Sequence, residues 1–316
     1  MKKALLLLCF FAAHAAAQSF PSKPVRWIVP FPPGGATDII ARIVAAKMSE
    51  AWKEPVVVEN RAGAAGAIGS EAVARAAPDG HTILMGTTST HAVGPAVNAT
   101  LPYNHLTDFA PVTLVATFPN VLVAHPSTAD SLQDLIAKLK ANPGKYNFGS
   151  SGAGSSTHLA GELFKLQTQT DINHIPYKGT GPLLNDLMAG HVAFAFDQVT
   201  AVMSAVNGGK MKALGVASLE RSAALPGVPA IAEVLPGFEA TAWVGIFAPA
   251  RTPPETISRI QGETARIVAL PDIAKRLTEL GATPVANAPA QFAGFVRQDT
   301  EKWKNLVATA KIRVEQ

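Results

Sequence analysis

Cysteine and charge are both scarce in this sequence. The 316 residues include a single cysteine, Cys9, and only 16% are Asp, Glu, Lys or Arg. One thiol excludes an internal disulfide framework and a cysteine-based metal centre. The low charge does not indicate disorder, because 48% of the chain is hydrophobic. The length is sufficient for two lobes that each bury a core.

A strong charge of one sign is also missing. The formal net charge is +4, and the Lys and Arg residues do not cluster into runs that would form a basic stripe. We therefore expect no nucleic-acid partner. Beyond the N-terminal segment, no apolar stretch is long enough to span a bilayer, so we expect no membrane-spanning helix in the mature chain.

Residues 1–17 have the pattern of a cleaved secretion signal. Two lysines open the segment, residues 4–13 form a short apolar stretch, and the alanines at 15–17 provide a cleavage pattern that leaves Gln18 as the first mature residue. Cys9 could instead carry a lipid, but it follows two leucines where a lipidation site requires small residues. The segment predicts export to the periplasm.

Motifs for catalysis and for cofactor binding are absent. The Gly/Ser-rich stretch at 149–157 lacks the glycine offsets of a GxSxG nucleophile elbow. The glycines between 63 and 69 do not form a GxGxxG fingerprint, and the sequence has no GxxxxGK(S/T) phosphate loop and no HExxH pair. A Ser/His/Asp set could still assemble in space. We expect no enzyme activity, no cofactor and no metal.

Short apolar runs alternate with helical patterns along the chain, which predicts an α/β fold. One local unit, a strand followed by a Gly-rich loop and a helix, occurs twice, at residues 28–42 and 148–165. In open α/β sheets such loops lie at the carboxyl ends of strands, where ligands bind. Two of them in two lobes would face each other across a cleft. Strands are also predicted at residues 112–117 and 121–124, separated by a Pro-Asn pair.

The first loop, residues 31–38, combines prolines and glycines ahead of a helix. Its two glycines can adopt positive φ and bring the backbone close to a ligand, and Thr37 can cap the helix. The free N–H groups at that helix start form an anion site. The alternative is an ordinary tight turn in which Asp38 serves only the helix dipole. The candidate ligand-binding residues are Phe31, Gly34, Gly35, Ala36, Thr37 and Asp38.

The second loop, residues 149–157, offers hydroxyls and backbone donors at another helix start, with almost no side-chain bulk. This composition suits a carboxylate, and a flexible linker is the alternative. Its candidates are Ser151, Gly152, Ser155, Ser156 and Thr157. Further candidates follow other strands: Thr87 and Thr88, Lys178, and Asp197. Lys178 could equally be a solvated surface lysine, and Asp197 could be a helix cap.

These motifs, in this order, resemble the Bug family, the extracytoplasmic receptors of tripartite tricarboxylate transporters. The resemblance covers essentially the whole mature chain and rests on residues 25–38, 57–66, 78–82, 152–155 with His158, 176–179 and 221–229. It implies a type II periplasmic-binding-protein fold, in which two α/β lobes are joined by two crossover strands around a cleft. Lobe I would comprise residues 18–118 and 242–316, and lobe II residues 119–241.

The resemblance also implies a function. A monomeric receptor would capture a small carboxylate between the two loops and deliver it to the membrane subunits of a tripartite transporter. In this family backbone donors and ordered waters hold the carboxylate, and neither loop here contains Lys or Arg. A solute sensor acting on a membrane kinase ectodomain is the alternative, and an α/β hydrolase is a third hypothesis. The sequence leaves the identity of the solute open.

Overall fold

The computed structural model describes residues 20–310 and 312, and it has the mixed α/β architecture that the sequence predicts. The predicted secretion signal, with Cys9 and Gln18, lies outside the described residues. The strands are β1 (Val25–Val29), β2 (Val56–Asn60), β3 (Thr82–Thr87), β4 (Phe109–Ala124), β5 (Asn147–Ser150), β6 (Asn173–Pro176), β7 (Phe194–Gln198), β8 (Lys212–Val216), β9 (Thr241–Pro249) and β10 (Thr283–Pro284).

Helices follow most of these strands. They are α1 (Ala36–Trp52), α2 (Ala67–Ala74), α3 (Gly94–Val97), α4 (Leu132–Ala141), α5 (Ser156–Thr168), α6 (Thr180–Met188), α7 (Val199–Asn207), α8 (Pro254–Val268), α9 (Pro271–Glu279) and α10 (Pro289–Ala310). Short 3-10 turns at Ala64–Gly66 and Ile231–Glu233 and a π-helical turn at Ser89–Val93 complete the set.

The strands form one sheet in the order β2-β1-β3-β9-β4-β7-β5-β6, with β8 and β10 also paired to β4. Strands β1, β2 and β3 are parallel to one another, as are β5, β6 and β7. We call these groups the first and second sheet portions. The antiparallel strands β4 and β9 lie between them, so the molecule has two α/β units connected through two strands.

Strand β4 passes from one portion to the other without a break. It pairs with β9 as far as Pro119 and with β7 from Asn120 onward. The prediction of two strands separated by the Pro-Asn pair was therefore wrong. A proline interrupts a strand only where its missing N–H is needed, and here it stands where β4 changes partners. The lobe limits near residues 118 and 242 stay a prediction, with β4 and β9 as the connecting strands.

Two hydrophobic clusters cover the two faces of the sheet. Trp27 and Val29 of β1 belong to one cluster and Ile28 to the other, as the alternation of a strand requires. Helix α1 adds Ile40 and Val44 to the first cluster, and all five side chains are at most 1% exposed. Each such side chain contributes about 1.5–3 kcal/mol by its burial. This packing fixes where α1 begins and therefore where the first loop lies.

Candidate functional site

A small polar pocket lies between the two sheet portions. Its volume is about 40 Å³. None of the side chains that line the pocket is charged or titratable. Loops and helix starts from both portions contribute its lining: Phe31, Pro32, Pro33, Gly35, Ala36, Thr37, Thr87, Thr88, Ser89, Phe118, Ser151, Ser156, Gly179, Thr180, Gln198, Ala242 and Trp243.

The first loop brings the start of α1 to this pocket. Gly34 has a φ of +89°, which favours glycine, whereas Gly35 has a φ of −82° that any residue adopts. Gly35 is the N-cap of α1, and no side chain caps this helix start. The expectation that Thr37 is the cap was therefore wrong, because Thr37 already lies within the first turn. It lines the pocket together with Ala36, at the positive end of the helix dipole.

Asp38 holds the first loop in shape. Its carboxylate accepts hydrogen bonds from the Gly34 N–H (3.0 Å), from Arg42 Nε (3.0 Å) and from Asn60 Nδ2 (3.0 Å). Burial alone would raise the pKa of Asp38, but these donors together lower it, so the side chain is a carboxylate. Neither Asp38 nor Gly34 lines the pocket. The structure thus places both in support of the loop.

The second loop brings the start of α5 to the opposite side of the pocket. The Ser155 hydroxyl caps this helix by accepting the His158 N–H (3.2 Å). Thr157 Oγ1 accepts the Ser151 N–H (3.0 Å) and so closes the loop on itself. Ser155 and Thr157 line neither cavity, whereas Ser151 and Ser156 line the pocket. The Ser156 N–H donates across the cleft to Ser89 Oγ (3.0 Å).

Two stacked imidazoles support the second loop from behind. The rings of His158 and His174 lie 3.9 Å apart at 14°. His158 Nδ1 accepts the Gly154 N–H (3.1 Å), and His174 Nε2 shares a 2.7 Å hydrogen bond with Ser150 Oγ. Burial and the neighbouring His158 lower the pKa of His174 to about 3, so this ring is neutral. His158 thus holds the loop through its contacts with Gly154 and Ser155 and lines neither cavity.

Hydroxyls after β3 form a third side of the pocket. Thr88 Oγ1 accepts the Trp243 N–H (2.8 Å), which ties the end of β3 to β9. Thr87 is held by Thr90, whose hydroxyl accepts the Thr87 N–H (2.9 Å). Both candidates line the pocket, so the pocket walls are fixed by hydrogen bonds within the protein.

Asp197 lies beneath the pocket without lining it. Its Oδ1 accepts hydrogen bonds from the Gln198 N–H (2.7 Å) and the Thr180 hydroxyl (3.2 Å), while Oδ2 has no partner among the described residues. Burial raises the pKa of Asp197 to about 7. Thr180 and Gln198 do line the pocket, so Asp197 positions two lining residues.

A larger cavity, which we call the chamber, adjoins the polar pocket. Its volume is about 720 Å³, and its lining includes the remaining candidates, Gly152 and Lys178. Pocket and chamber share five lining residues: Phe31, Pro32, Ser89, Ser151 and Gly179.

Sequence reasoning missed several lining residues. Ser89 and Gly179 are not among them, because they belong to the same strand-end groups as the candidates Thr88 and Lys178. Thr180 lies two residues after the candidate Lys178, and Gln198 directly follows the candidate Asp197. Trp243 comes to the site through the pairing of β9 with β3 and β4, which no local pattern shows. Within residues 20–310, no group of three or more metal-ligating side chains occurs, and none of the helices could cross a membrane.

The sequence matches the tripartite tricarboxylate transporter family receptor over residues 40–312. The chain belongs to this family. A Pseudomonas sp. UPF0065 protein from the tcbD–tcbE intergenic region is 43% identical over 94% of this chain and 89% of its own length. Protein BugT of Bordetella pertussis is 40% identical over 94% of this chain and 92% of its own. The Bug resemblance is thereby confirmed.

Solved structures of similar proteins confirm the fold. One is described as a periplasmic transporter, with a TM-score of 0.91, 39% identity and coverage of 94% of this chain and 100% of its own. An R. palustris protein solved with adipate has a TM-score of 0.91 and 34% identity, covering 93% and 99%. MatC from Rhodopseudomonas palustris with bound malate has a TM-score of 0.86 and 34% identity, covering 91% and 100%. The chain is thus a solute-binding protein of the periplasmic receptor type.

Proposed function

We propose that the polar pocket binds the carboxylate of a small-molecule solute between two closing lobes. The observation that carries this proposal is the meeting of two helix starts, those of α1 and α5, at a pocket without charged lining residues. Backbone N–H groups at helix starts attract anions through the helix dipole. Charge-assisted hydrogen bonds from such donors and from nearby hydroxyls hold a carboxylate without a cation.

Similar proteins support a carboxylate as the solute. Two structural neighbours contain adipate and malate, both of which are dicarboxylates. The lobes that close would be residues 18–118 with 242–316 and residues 119–241, moving about β4 and β9. The mature receptor would be exported after cleavage behind Ala17, act as a monomer and deliver its solute to the membrane subunits of a tripartite transporter.

Binding without catalysis is the activity we propose. The Ser155 hydroxyl, the nucleophile that a hydrolase would use in the second loop, is committed to the loop. It donates to Gly152 O (2.7 Å) and accepts the His158 N–H, while the His158 imidazole accepts the Gly154 N–H instead of activating a serine. A nucleophilic serine needs a basic side chain within hydrogen-bond distance of its hydroxyl. The Ser155 hydroxyl instead contacts backbone groups, so it is not activated for catalysis.

A thermal-shift screen of the mature protein tests this function. The panel contains small carboxylic acids with their neutral amides as matched controls. A bound acid at 100 times its dissociation constant adds about 2.7 kcal/mol to the free energy of unfolding, which is readily detected. We expect acids to raise the melting temperature and the matching amides to do so less. The proposal would be contradicted if only amides raised the melting temperature, or if none of the acids did.

Paired glycine variants locate the site. A Cβ on Gly35 would lie 3.9 Å from Thr180 Oγ1 across the pocket, whereas a Cβ on Gly227 meets nothing within 4 Å. Neither residue has a positive φ. We expect Gly35→Val to abolish acid binding because its branched side chain fills the space between the helix starts. Gly227→Val is expected to bind normally, and equal binding by both would place the site elsewhere.

A further inference from the structure

The polar pocket is too small to contain a whole organic acid. At about 40 Å³ it has room for only a few water molecules, since one water requires roughly 10–15 Å³ of such space. The adjoining chamber, at about 720 Å³, lies within the roughly 300–1,000 Å³ range of small-molecule sites. A solute whose carboxylate occupies the pocket must therefore extend its remaining atoms into the chamber.

Two stretches of small residues form much of the chamber wall. Residues 62–67, from the first sheet portion, contain only Gly and Ala, and the second loop contributes residues 152–154 with the same composition. Ala64 and Ala65 hold φ values of +47° and +51°, a conformation that alanine adopts only under strain. Strained backbone kept in a cavity wall suggests a functional shape, and here it leaves a smooth surface without protruding side chains.

The polar side chains that line the chamber, those of Ser89, Asn98, Tyr103, Ser151 and Tyr177, already have hydrogen-bond partners within the protein. The Tyr103 hydroxyl donates to Thr90 O (2.8 Å), and the Tyr177 hydroxyl donates to Asp186 Oδ2 (2.8 Å). Leu101 and Val97 add aliphatic surface. Lys178 is the one charged residue among the chamber's lining residues, and it is exposed at the rim. A chamber of this composition solvates a hydrocarbon better than a polyhydroxylated or highly charged molecule.

We propose that the cognate solute is an acid with a substantial hydrocarbon body, an aliphatic chain or an aromatic ring, that occupies the chamber while its carboxylate occupies the polar pocket. This proposal rests on the proposed function and adds the class of solute to it. The chamber walls, rather than the pocket, then determine which acid the receptor prefers. Small hydroxy acids would leave most of the chamber to water and bind weakly.

Calorimetry with a graded series of acids tests this proposal. The series is butyrate, hexanoate and octanoate for the chain, with benzoate for the ring. Each buried methylene is expected to tighten binding about fourfold until the chamber is filled, and stronger binding of benzoate than of hexanoate would identify the ring as the body. Butyrate binding as tightly as the larger acids would overturn the proposal and leave the carboxylate pocket standing. Failure of every acid to bind would overturn the proposed function and this inference with it.

Wall substitutions show whether the chamber produces the preference. Leu101→Trp narrows the chamber from the α3 side, and Ala153→Phe narrows it from the second loop. The control is Leu219→Trp, at a residue that is 58% exposed and lines neither cavity. Both wall variants are expected to weaken octanoate at least tenfold while butyrate affinity stays within twofold, and the control is expected to change neither. Octanoate affinity that survives both wall variants would overturn the proposal, and retained butyrate binding shows that the variants are folded.

Lys178 provides a separate comparison in the same experiment. Suberate and octanoate have the same number of carbons, and only suberate carries a second carboxylate. Lys178→Met is expected to weaken suberate several-fold more than octanoate, because only suberate offers the lysine a second carboxylate. Loss of octanoate binding in Lys178→Met would overturn the proposal, since the single carboxylate would then lie in the chamber.

Discussion

At the scale of one residue, Asp197 positions two residues of the pocket wall, and its burial lowers the stability of the protein at neutral pH. The carboxyl group is fully buried with one oxygen unpartnered among the described residues, and its pKa is raised from 3.8 to about 7. Between these values the folded state keeps a proton that the unfolded state has released. The contribution of this group to stability is therefore greatest below about pH 4, falls as the pH rises, and reaches its minimum above about pH 7.

Asp197→Asn is predicted to remove this pH dependence. The amide oxygen can accept the same two hydrogen bonds, and the side chain stays neutral at every pH. Since one pKa unit corresponds to 1.36 kcal/mol, the shift from 3.8 to about 7 sets an upper limit of about 4 kcal/mol. Urea denaturation should show the variant to be more stable than the parent at pH 8, with little difference at pH 4.

The half-buried Asp134 gives the contrasting control. The hydrogen bond from Lys138 lowers the pKa of Asp134, so its stabilising contribution is present above the unfolded value and is lost as the pH falls. Asp134→Asn should therefore be no more stable than the parent at pH 8. A stability difference between Asp197→Asn and the parent that does not grow with pH would contradict a buried, protonated Asp197.

At the scale of elements, the loops of the two sheet portions approach each other closely. Gly179, the N-cap of α6, has a φ of +111°, and a Cβ built on it would lie 2.8 Å from Pro32 Cγ in the first loop. Such a distance is shorter than real Cβ contacts allow, so a side chain there would hold the loops apart. The glycine is thus needed for the contact between the elements as well as for its own backbone conformation.

Gly179→Ala is predicted to weaken acid binding at least tenfold, because the added methyl group opposes closure onto Pro32. Gly237 is the matched control, since it has a φ of +77° and a Cβ there meets nothing within 4 Å. Both substitutions place alanine at positive φ and reduce stability, by about 1–3 kcal/mol at Gly179, whose φ of +111° and ψ of +175° are almost exclusive to glycine. Affinity is therefore compared on folded protein. Calorimetry with one acid decides the matter: similar affinities in the two variants would show that the approach of Gly179 to Pro32 does not govern binding.

Local patterns predicted the elements that carry the site but not the contacts between them. Both loops were found because glycine composition and a following helix are readable within a dozen residues. The prediction that Thr37 is the N-cap was wrong, because α1 begins at Ala36 and its N-cap, Gly35, has no capping side chain. Trp243 was missed as a lining residue because the pairing of β9 with β3 and β4 brings it to the pocket.

At the scale of the whole molecule, one sheet connects two α/β units, and the polar pocket lies between them. The predicted break in β4 shows why this organisation is hard to read from sequence. Pro119 and Asn120 have the composition of a turn, yet the pairing of β4 with β9 and then with β7 keeps the strand continuous. Tertiary pairing overrides local propensity in such strands. The family resemblance, which draws on many motifs together, predicted the two-unit architecture correctly.

A crystal structure of the mature protein with a bound monocarboxylate, such as hexanoate or benzoate, tests the central claim most directly. We predict both carboxylate oxygens within hydrogen-bond distance of donors from the two loops: first-turn N–H groups of α1 on one side and Ser151 or Ser156 on the other. No Lys or Arg should lie within ion-pair distance of this carboxylate, and the hydrocarbon body should occupy the chamber. A carboxylate paired with the Lys178 ammonium, with the polar pocket left to solvent, would contradict the account.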